Sequence, residues 1–350
     1  MKSLLPISWL YALFMVCRNK AFDWGFLKSY DAGVPVISVG NLTVGGTGKT
    51  PLVEFIVRHC IRRNKRATII SRGYGRSSRG VVIVSDGRSV LANAWNGGDE
   101  PVQMALKFPS ARVVVAERRV DAARTAVERL DSEVLVLDDG FQHRYLKRDL
   151  DIVVIDSRYN PAHEMTLPAG MRRESMSGLQ RAGVVALSRV ENESAIVDAM
   201  PILRRWYTGP VVAYRYGTTS ICRFSDRASF SVEEFKGKSA LAFSGIGDHE
   251  GFLQEVQRRG VIIKADRRFS DHHAYTIADI KGLCILMMEV EADCCLTTQK
   301  DAIRLLEHAG EAMRLFESHP LYYTLITVEM VYGKAEFLQM IDDCIDGRLT

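Results

Sequence analysis

The sequence predicts an α/β protein: a largely parallel sheet with helices on both faces, followed by a second, smaller α/β domain. Two patterns predict it. Short β-branched apolar runs recur at 67–71, 81–85, 112–116, 134–137, 152–155 and 184–187, most of them separated by helix-like segments such as 102–107 and 120–130. Strands that are apolar throughout, rather than alternating, are buried on both faces, and a helix between them returns the chain for parallel pairing. The same rhythm restarts near residue 209 with sparser motifs, at 211–214, 240–243, 261–264, 294–297 and 322–328. The chain thus reads as an N-terminal segment 1–30, a first domain 31–208 and a second domain 209–350.

Bulk properties agree with this division. A chain of 350 residues, 47% of them apolar, can bury a large core and suggests about two domains. Its net charge of +4 is modest and spread out, so charge gives no nucleic-acid footprint. Seven cysteines form no C-x-x-C pair and leave an odd one over, which fits reduced thiols; Cys294 and Cys295 read as strand residues.

Residues 4–17 are strongly apolar, and Arg18, Lys20 and Lys28 follow among Phe22, Trp24 and Phe26. The run is too short for a bilayer core of ~30 Å, which takes about twenty helical residues. It also lacks the small-residue cleavage site of a signal peptide. Two readings stand: a helix lying in a membrane interface, or a helix packed on the core of the protein. The first is the expectation carried forward.

The run Val34 to Val39 reads as a buried strand, and an apolar-periodic helix covers Leu52 to Ile61. Between them lies Thr43-Val44-Gly45-Gly46-Thr47-Gly48-Lys49-Thr50. A glycine-rich turn from strand to helix lets backbone N–H groups curl round phosphate oxygens at the positive end of the helix dipole. Lys49 then reaches the β/γ-phosphates and the Thr50 hydroxyl holds Mg²⁺, which makes the first domain P-loop NTPase-like. Pro51 suits the first helical turn. Thr43 stands where G-x-x-x-x-G-K-[ST] has glycine, and the Gly45-Gly46 pair is the expected compensation.

Ligands sit at the carboxyl ends of strands in such sheets, and the polar motifs fall there. Ser71-Arg72-Gly73-Tyr74-Gly75-Arg76 is a turn bearing two guanidinium groups and a phenol, or else an ordinary glycine-rich loop. Asp99, in Gly97-Gly98-Asp99-Glu100-Pro101, is either a helix N-cap or a base that accepts a hydroxyl proton. The strand from Val134 ends on Asp138 and Asp139, and paired carboxylates at a buried strand end need a compensating cation, in such proteins Mg²⁺. Leu167 to Glu174 is a Pro/Gly loop leading into basic residues suited to an anionic ligand. In the second domain, Ser244-Gly-Ile-Gly-Asp-His249 reads as a structural strand-to-helix turn, and Phe269-Ser-Asp271-His272-His273 as a polar loop cluster without zinc-ligand spacing.

Taken in order, these motifs resemble the tetraacyldisaccharide 4'-kinases of lipid A biosynthesis. The resemblance is carried by Ser38-Val-Gly-Asn-Leu-Thr43 with Gly-Gly-Thr-Gly-Lys-Thr-Pro51, Ser71-Arg-Gly-Tyr-Gly75, Gly98-Asp-Glu-Pro101, Asp138-Asp-Gly-Phe-Gln-His143 and Arg148 to Asp156. Leu167-Pro-Ala-Gly170, Gly245-Ile-Gly247, Asp271-His272 and Lys300-Asp301 continue it. It implies ATP- and Mg²⁺-dependent phosphorylation of the 4'-hydroxyl of a tetraacylated glucosamine disaccharide 1-phosphate, by a peripheral protein at the cytoplasmic face of the inner membrane. No nucleic acid and no obligate protein partner are implied. Asp99 would be the base, paired with His272 from the second domain. Lys49 would act on phosphate, Thr43 to Thr50 would bind ATP, and Thr50, Asp138 and Asp139 would hold the metal. Arg72, Tyr74, Arg119, Gln142, Arg173 and Glu174 would contact nucleotide or substrate.

Two other functions compete. One is a GTPase or ATPase switch acting on a membrane partner, because Thr298-Gln-Lys-Asp301 faintly echoes the N-K-x-D guanine reader. Against it, Asp138-Asp-Gly lacks the D-x-x-G spacing of a switch loop. The other is a nucleotide-binding membrane adaptor, which retention of Lys49, Thr50, Asp99, Asp138 and Asp139 opposes.

Overall fold

A computed structural model of the chain describes residues 4–158, 164–317 and 320–349; residues 1–3 of the expected N-terminal segment lie outside it. The chain forms two compact units, Met1–Arg215 with Val328–Thr350, and Tyr216–Thr327.

The first unit begins with helix α1 (Leu5–Asp23) and strand β1 (Val36–Asn41). Then come α2 (Lys49–Arg62), β2 (Ala67–Ser71), β3 (Val82–Asp86), α3 (Ala94–Gly97), α4 (Asp99–Lys107), β4 (Arg112–Val115) and α5 (Arg119–Leu130). β5 (Val134–Asp138), β6 (Leu150–Asp156), β7 (Val184–Ser188), α6 (Glu193–Leu203) and β8 (Val211–Arg223) follow. The strands run β8-β7-β6-β1-β5-β2-β4-β3 across the sheet. Every residue of β1, β2, β5 and β7 is buried, as continuous apolar runs require. β1 lies between β5 and β6, with Val39 opposite Asp138 on one side and Ile152 on the other, both in parallel register. β3 is antiparallel to β4, because no helix intervenes after β2 to carry the chain back to the far end of the sheet.

α2 buries Leu52, Val53, Ile56, Val57 and Cys60, each large side chain contributing roughly 1.5–3 kcal/mol. Glu54 on α2 and Lys107 on α4 form a buried ion pair at 2.5 Å.

α1 is inside out. It buries Ser8, Met15 and Phe22, while Ile7, Trp9, Leu10, Leu13, Phe14 and Val16 are exposed. Its inner contacts are polar: the Ala169 N–H donates to Ser8 Oγ at 2.8 Å and Tyr11 Oη donates to the Arg173 carbonyl at 2.9 Å. A core-packed helix would bury the apolar side chains that here face outward. Among the described residues, no helix is long and apolar enough to cross a membrane.

The second unit takes up β8 from Tyr216 and contains β9 (Ser229–Phe230), β10 (Ser239–Ser244), α7 (His249–Arg258), β11 (Ile262–Arg268) and α8 (Ile277–Glu289). β12 (Cys294–Thr298), α9 (Gln299–Arg304), α10 (Ala309–Leu315) and β13 (Leu321–Tyr332) complete it, in the strand order β11-β10-β12-β13-β8. Alternate residues of β10 feed two cores, Leu241 and Phe243 with Ile280 and Leu283, and Ala240 and Ala242 with Val256 and Leu296. Cys294 and Cys295 are both buried in β12.

The sequence reading carried the second domain to residue 350. The end of β13 and helix α11 (Lys334–Ile345) instead return to the first unit, where Phe337 stacks on Phe55 and Asp342 Oδ1 meets His59 Nε2 at 2.8 Å.

Candidate active site

In the first unit the loops at the carboxyl ends of β1, β2, β4 and β5 carry most of the residues singled out by the sequence. After β1 the chain makes its glycine-rich turn with left-handed backbone at Gly45 (φ 104°) and Gly48 (φ 87°). Thr43 is not in a tight turn. It is buried and bridges Arg172, while the Val44 N–H donates to the Met171 carbonyl at 2.8 Å. That extended pairing is why threonine serves where the general pattern has glycine. The compensation lies at Gly45 and Gly48, and not at Gly46.

The turn is held from behind. Ser188 Oγ donates to the Thr47 carbonyl at 2.8 Å and Tyr214 Oη donates to the Gly48 carbonyl at 2.9 Å. In planar trans peptides the N–H points opposite to the C=O, so the amides of Gly48 and Lys49 face the other way, into the cradle. Asn41 Nδ2 donates to Thr47 Oγ1 at 2.9 Å and fixes the base of the loop. Lys49 and Thr50 open α2, and Lys49 Nζ lies 3.5 Å from Asp139 Oδ1.

Asp138 ends β5 beside β1, and Asp139 follows with left-handed backbone (φ 56°). Burial, and then Glu100, pushes the Asp138 carboxyl up to about 7, and its Oδ1 is buried with no hydrogen-bond partner. Burial also acts to raise Asp139, but Lys49 and Arg173 outweigh it and hold that carboxyl below the usual range. Arg173 Nη1 reaches both Asp139 oxygens, at 2.8 and 2.7 Å.

Arg119, at the start of α5, is buried and donates from Nη1 to the Ala116 carbonyl at 2.9 Å, while its Nε has no partner. Burial pushes its guanidinium down to about 10 against the opposing pull of Asp138 and Asp139. His143 is pushed down to about 4, by burial and then by the Arg119 charge. Gln142 Nε2 donates to the Asn41 carbonyl at 2.9 Å and to Glu174 Oε1 at 2.8 Å. Glu174 is buried, and its Oε2 accepts from Asn19 Nδ2 at 3.0 Å and Arg181 Nη2 at 2.7 Å. A chain of hydrogen bonds therefore runs from α1 through Glu174 and Gln142 to the foot of the phosphate loop.

Arg72 and Tyr74 follow β2, and both side chains are exposed. Asp99 is the first residue of α4, half-buried; the N-cap is Gly98, so the reading of Asp99 as a cap fails. Its neighbour Glu100 bears directly on Asp138.

His272 lies in the second unit, in the loop after β11, with left-handed backbone (φ 59°). The same unit holds Ser244, His249 and Asp266 in a hydrogen-bonded row, Ser244 Oγ to His249 Nδ1 at 2.7 Å and His249 Nε2 to Asp266 Oδ2 at 2.9 Å. Ser244 and His249 are buried, so this row is a pillar under the turn and not a nucleophile, as the sequence reading of that turn expected.

Comparison with known proteins follows the same motifs. The family model described as Tetraacyldisaccharide-1-P 4'-kinase matches residues 1–346. A protein named tetraacyldisaccharide 4'-kinase from Chlorobium luteolum is 40% identical over 88% of this chain and 87% of its own. Another of that name, from Chlorobaculum parvum, is 38% identical over 99% of this chain and 96% of its own. The crystal structure of LpxK from Aquifex aeolicus in complex with ATP superposes with a TM-score of 0.78, at 31% identity, over 98% of this chain and 99% of that one. The chain belongs to the tetraacyldisaccharide 4'-kinase family.

It is accordingly a phosphotransferase of lipid A biosynthesis with the P-loop kinase fold. The switch reading is not favoured, and the residue that suggested it has another task. Asp301 is fully buried and accepts from the Gly245 N–H at 3.0 Å and Tyr275 Oη at 3.0 Å, so it reads no guanine base. Sequence reasoning missed Ser188, Tyr214 and Asn19, which touch the loop and its supports through backbone or through other side chains and carry no local pattern.

Proposed function

We propose that this chain transfers the γ-phosphoryl group of ATP to the 4'-hydroxyl of a tetraacylated glucosamine disaccharide 1-phosphate, as a peripheral protein at the cytoplasmic face of the inner membrane. The observation that carries the proposal is Lys49 at the start of α2, 3.5 Å from Asp139 and acting on the buried Asp138 carboxyl, next to a backbone cradle. The ATP complex of the Aquifex aeolicus relative supports the choice of nucleotide.

In this reading Thr43 to Thr50 cradle the phosphates and Lys49 draws charge from the β/γ oxygens. Thr50, Asp138 and Asp139 would hold Mg²⁺. The donors fit: they are hard oxygens, and the buried Asp138 Oδ1 has no hydrogen-bond partner of its own. When bound, Mg²⁺ neutralises charge on the transferred group.

Asp99 takes the 4'-hydroxyl proton as the 4'-oxygen bonds to the γ-phosphorus, with His272 as a second catalytic residue; the bond to the β,γ-bridging oxygen breaks and ADP leaves. Arg72, Tyr74, Arg119, Gln142, Arg173 and Glu174 serve the nucleotide and the acceptor, Glu174 by holding Gln142. The exposed apolar face of α1, with Trp24 and Phe26 beyond it and Lys20 and Lys28 nearby, docks on the lipid surface, while Arg18 turns inward to the Gln142 carbonyl. Turnover of ATP and of GTP, each with and without the acceptor, tests this: ATP consumption that depends on the acceptor is expected, and GTP consumption that ignores it would refute it.

A further inference from the structure

Three stretches of the second unit, at Gly245, from His272 to Tyr275 and from Thr298 to Arg304, meet at Asp301 and Arg304. Asp301 Oδ1 accepts from the Gly245 N–H (3.0 Å), Tyr275 Oη (3.0 Å) and Arg304 Nη1 (3.1 Å), and its Oδ2 accepts from Thr298 Oγ1 at 2.6 Å. Burial, and then the Asp301 charge, pushes the Tyr275 hydroxyl far above its ordinary range, so it remains a donor. Asp301 thereby anchors the buried Arg304, whose Nη1 also donates to the Gly245 carbonyl at 2.8 Å. That same carbonyl accepts the His272 N–H at 3.1 Å. The other arm of the guanidinium, Nη2, lies 3.1 Å from His272 Nδ1. The ring is thus tied down at Nδ1, and on its other edge Nε2 lies 4.0 Å from Asp271 Oδ1, an acceptor.

A guanidinium has donors and no acceptor, so Nδ1 must accept and the imidazole proton resides on Nε2. We propose that Arg304, anchored by Asp301, is a positioning residue that fixes His272 as its Nε2–H tautomer. The inference rests on the reading of His272 as a catalytic residue. It makes His272 a donor at Nε2 whose other ring nitrogen is already taken, so the 4'-hydroxyl proton does not pass to the imidazole. It also accounts for a lysine-aspartate motif that binds neither metal nor base.

The direct test uses the full chain labelled with ¹⁵N-histidine at about pH 8.5. Long-range ¹H–¹⁵N correlation is recorded, and His272 is assigned by its loss in His272→Gln. The Nε2–H pattern is expected; an Nδ1–H pattern or an even mixture overturns the proposal. Arg304→Met is expected to lower kcat by about 10²-fold, to leave KM for ATP within about twofold, and to mix the His272 tautomers. Arg304→Lys, which still donates to Nδ1, is expected to recover at least about a tenth of wild-type kcat. If Arg304→Met does not fold, the wild-type spectrum and Arg304→Lys decide. Normal kcat in Arg304→Met beside an impaired His272→Ala would refute the positioning role alone, whereas normal kcat in His272→Ala would remove the catalytic reading beneath it.

Discussion

Asp138 and Asp139 are adjacent carboxylates driven in opposite directions: the first is buried beside Glu100 and raised to about 7, the second is bracketed by Lys49 and Arg173 and lowered. A cation must compete with a proton at Asp138, so Mg²⁺ affinity in the absence of nucleotide is expected to fall by up to about tenfold per pH unit below 7 and to level off above it. Titration calorimetry at several pH values reads this directly. In Asp138→Asn the slope should vanish together with most of the affinity.

The same environment sets how metal-free stability depends on pH. Asp138 has a raised folded pKa, so its penalty is absent below the unfolded value near 3.9, grows as pH rises, and is complete above about 7. His143 has a depressed folded pKa, so its unfolded form gains a proton first and stability is lost as pH falls from about 6.5 towards 4. Each effect is worth at most about 3–4 kcal/mol, and the two oppose each other. Denaturant melts between pH 4 and 7 should therefore steepen in opposite senses: stability rises with pH in Asp138→Asn and falls with pH in His143→Gln. Parallel curves for the two variants would contradict the assigned shifts.

Asp99 heads α4 in the first unit and His272 is tied to Arg304 in the second. If they act as one device, each single alanine variant loses about 10²–10⁴-fold in kcat and the double variant is little worse than the worse single. Multiplicative losses in steady-state rates would show independent action.

The outward face of α1 gives a separable expectation. Replacing Trp9, Leu13 and Phe14 by serine should weaken binding to anionic vesicles by at least about tenfold and raise KM for the lipid acceptor, with KM for ATP and the thermal midpoint unchanged. A large drop in the midpoint would place those side chains in the core after all.

Most of the architecture was legible because burial on both faces of a parallel sheet leaves continuous apolar runs, as in β1, β2, β5 and β7. Strand ends were extended by polar residues that the pattern omits, such as Asp138 and Asp156. The return of α11 to the first unit was invisible, since its contacts with His59 and Phe55 span nearly the whole chain. At the site, Lys49, Thr50, Asp138 and Asp139 announce themselves because charge at a strand end has few structural uses. Ser188 and Tyr214 do not, because they reach the loop through its carbonyls. Asp301 looked like a base reader, since sequence gives a carboxylate's spacing but not its burial.

The central claim is phosphoryl transfer to one hydroxyl through Lys49. The direct measurement is incubation of the purified chain with γ-labelled ATP, Mg²⁺ and tetraacyldisaccharide 1-phosphate, with ³¹P NMR locating the new phosphate, run beside Lys49→Ala at matched folding. The account predicts label on the 4'-oxygen, with a rate at least about 10²-fold lower in Lys49→Ala. Label appearing only as free phosphate, or a Lys49→Ala rate equal to wild type, would contradict it.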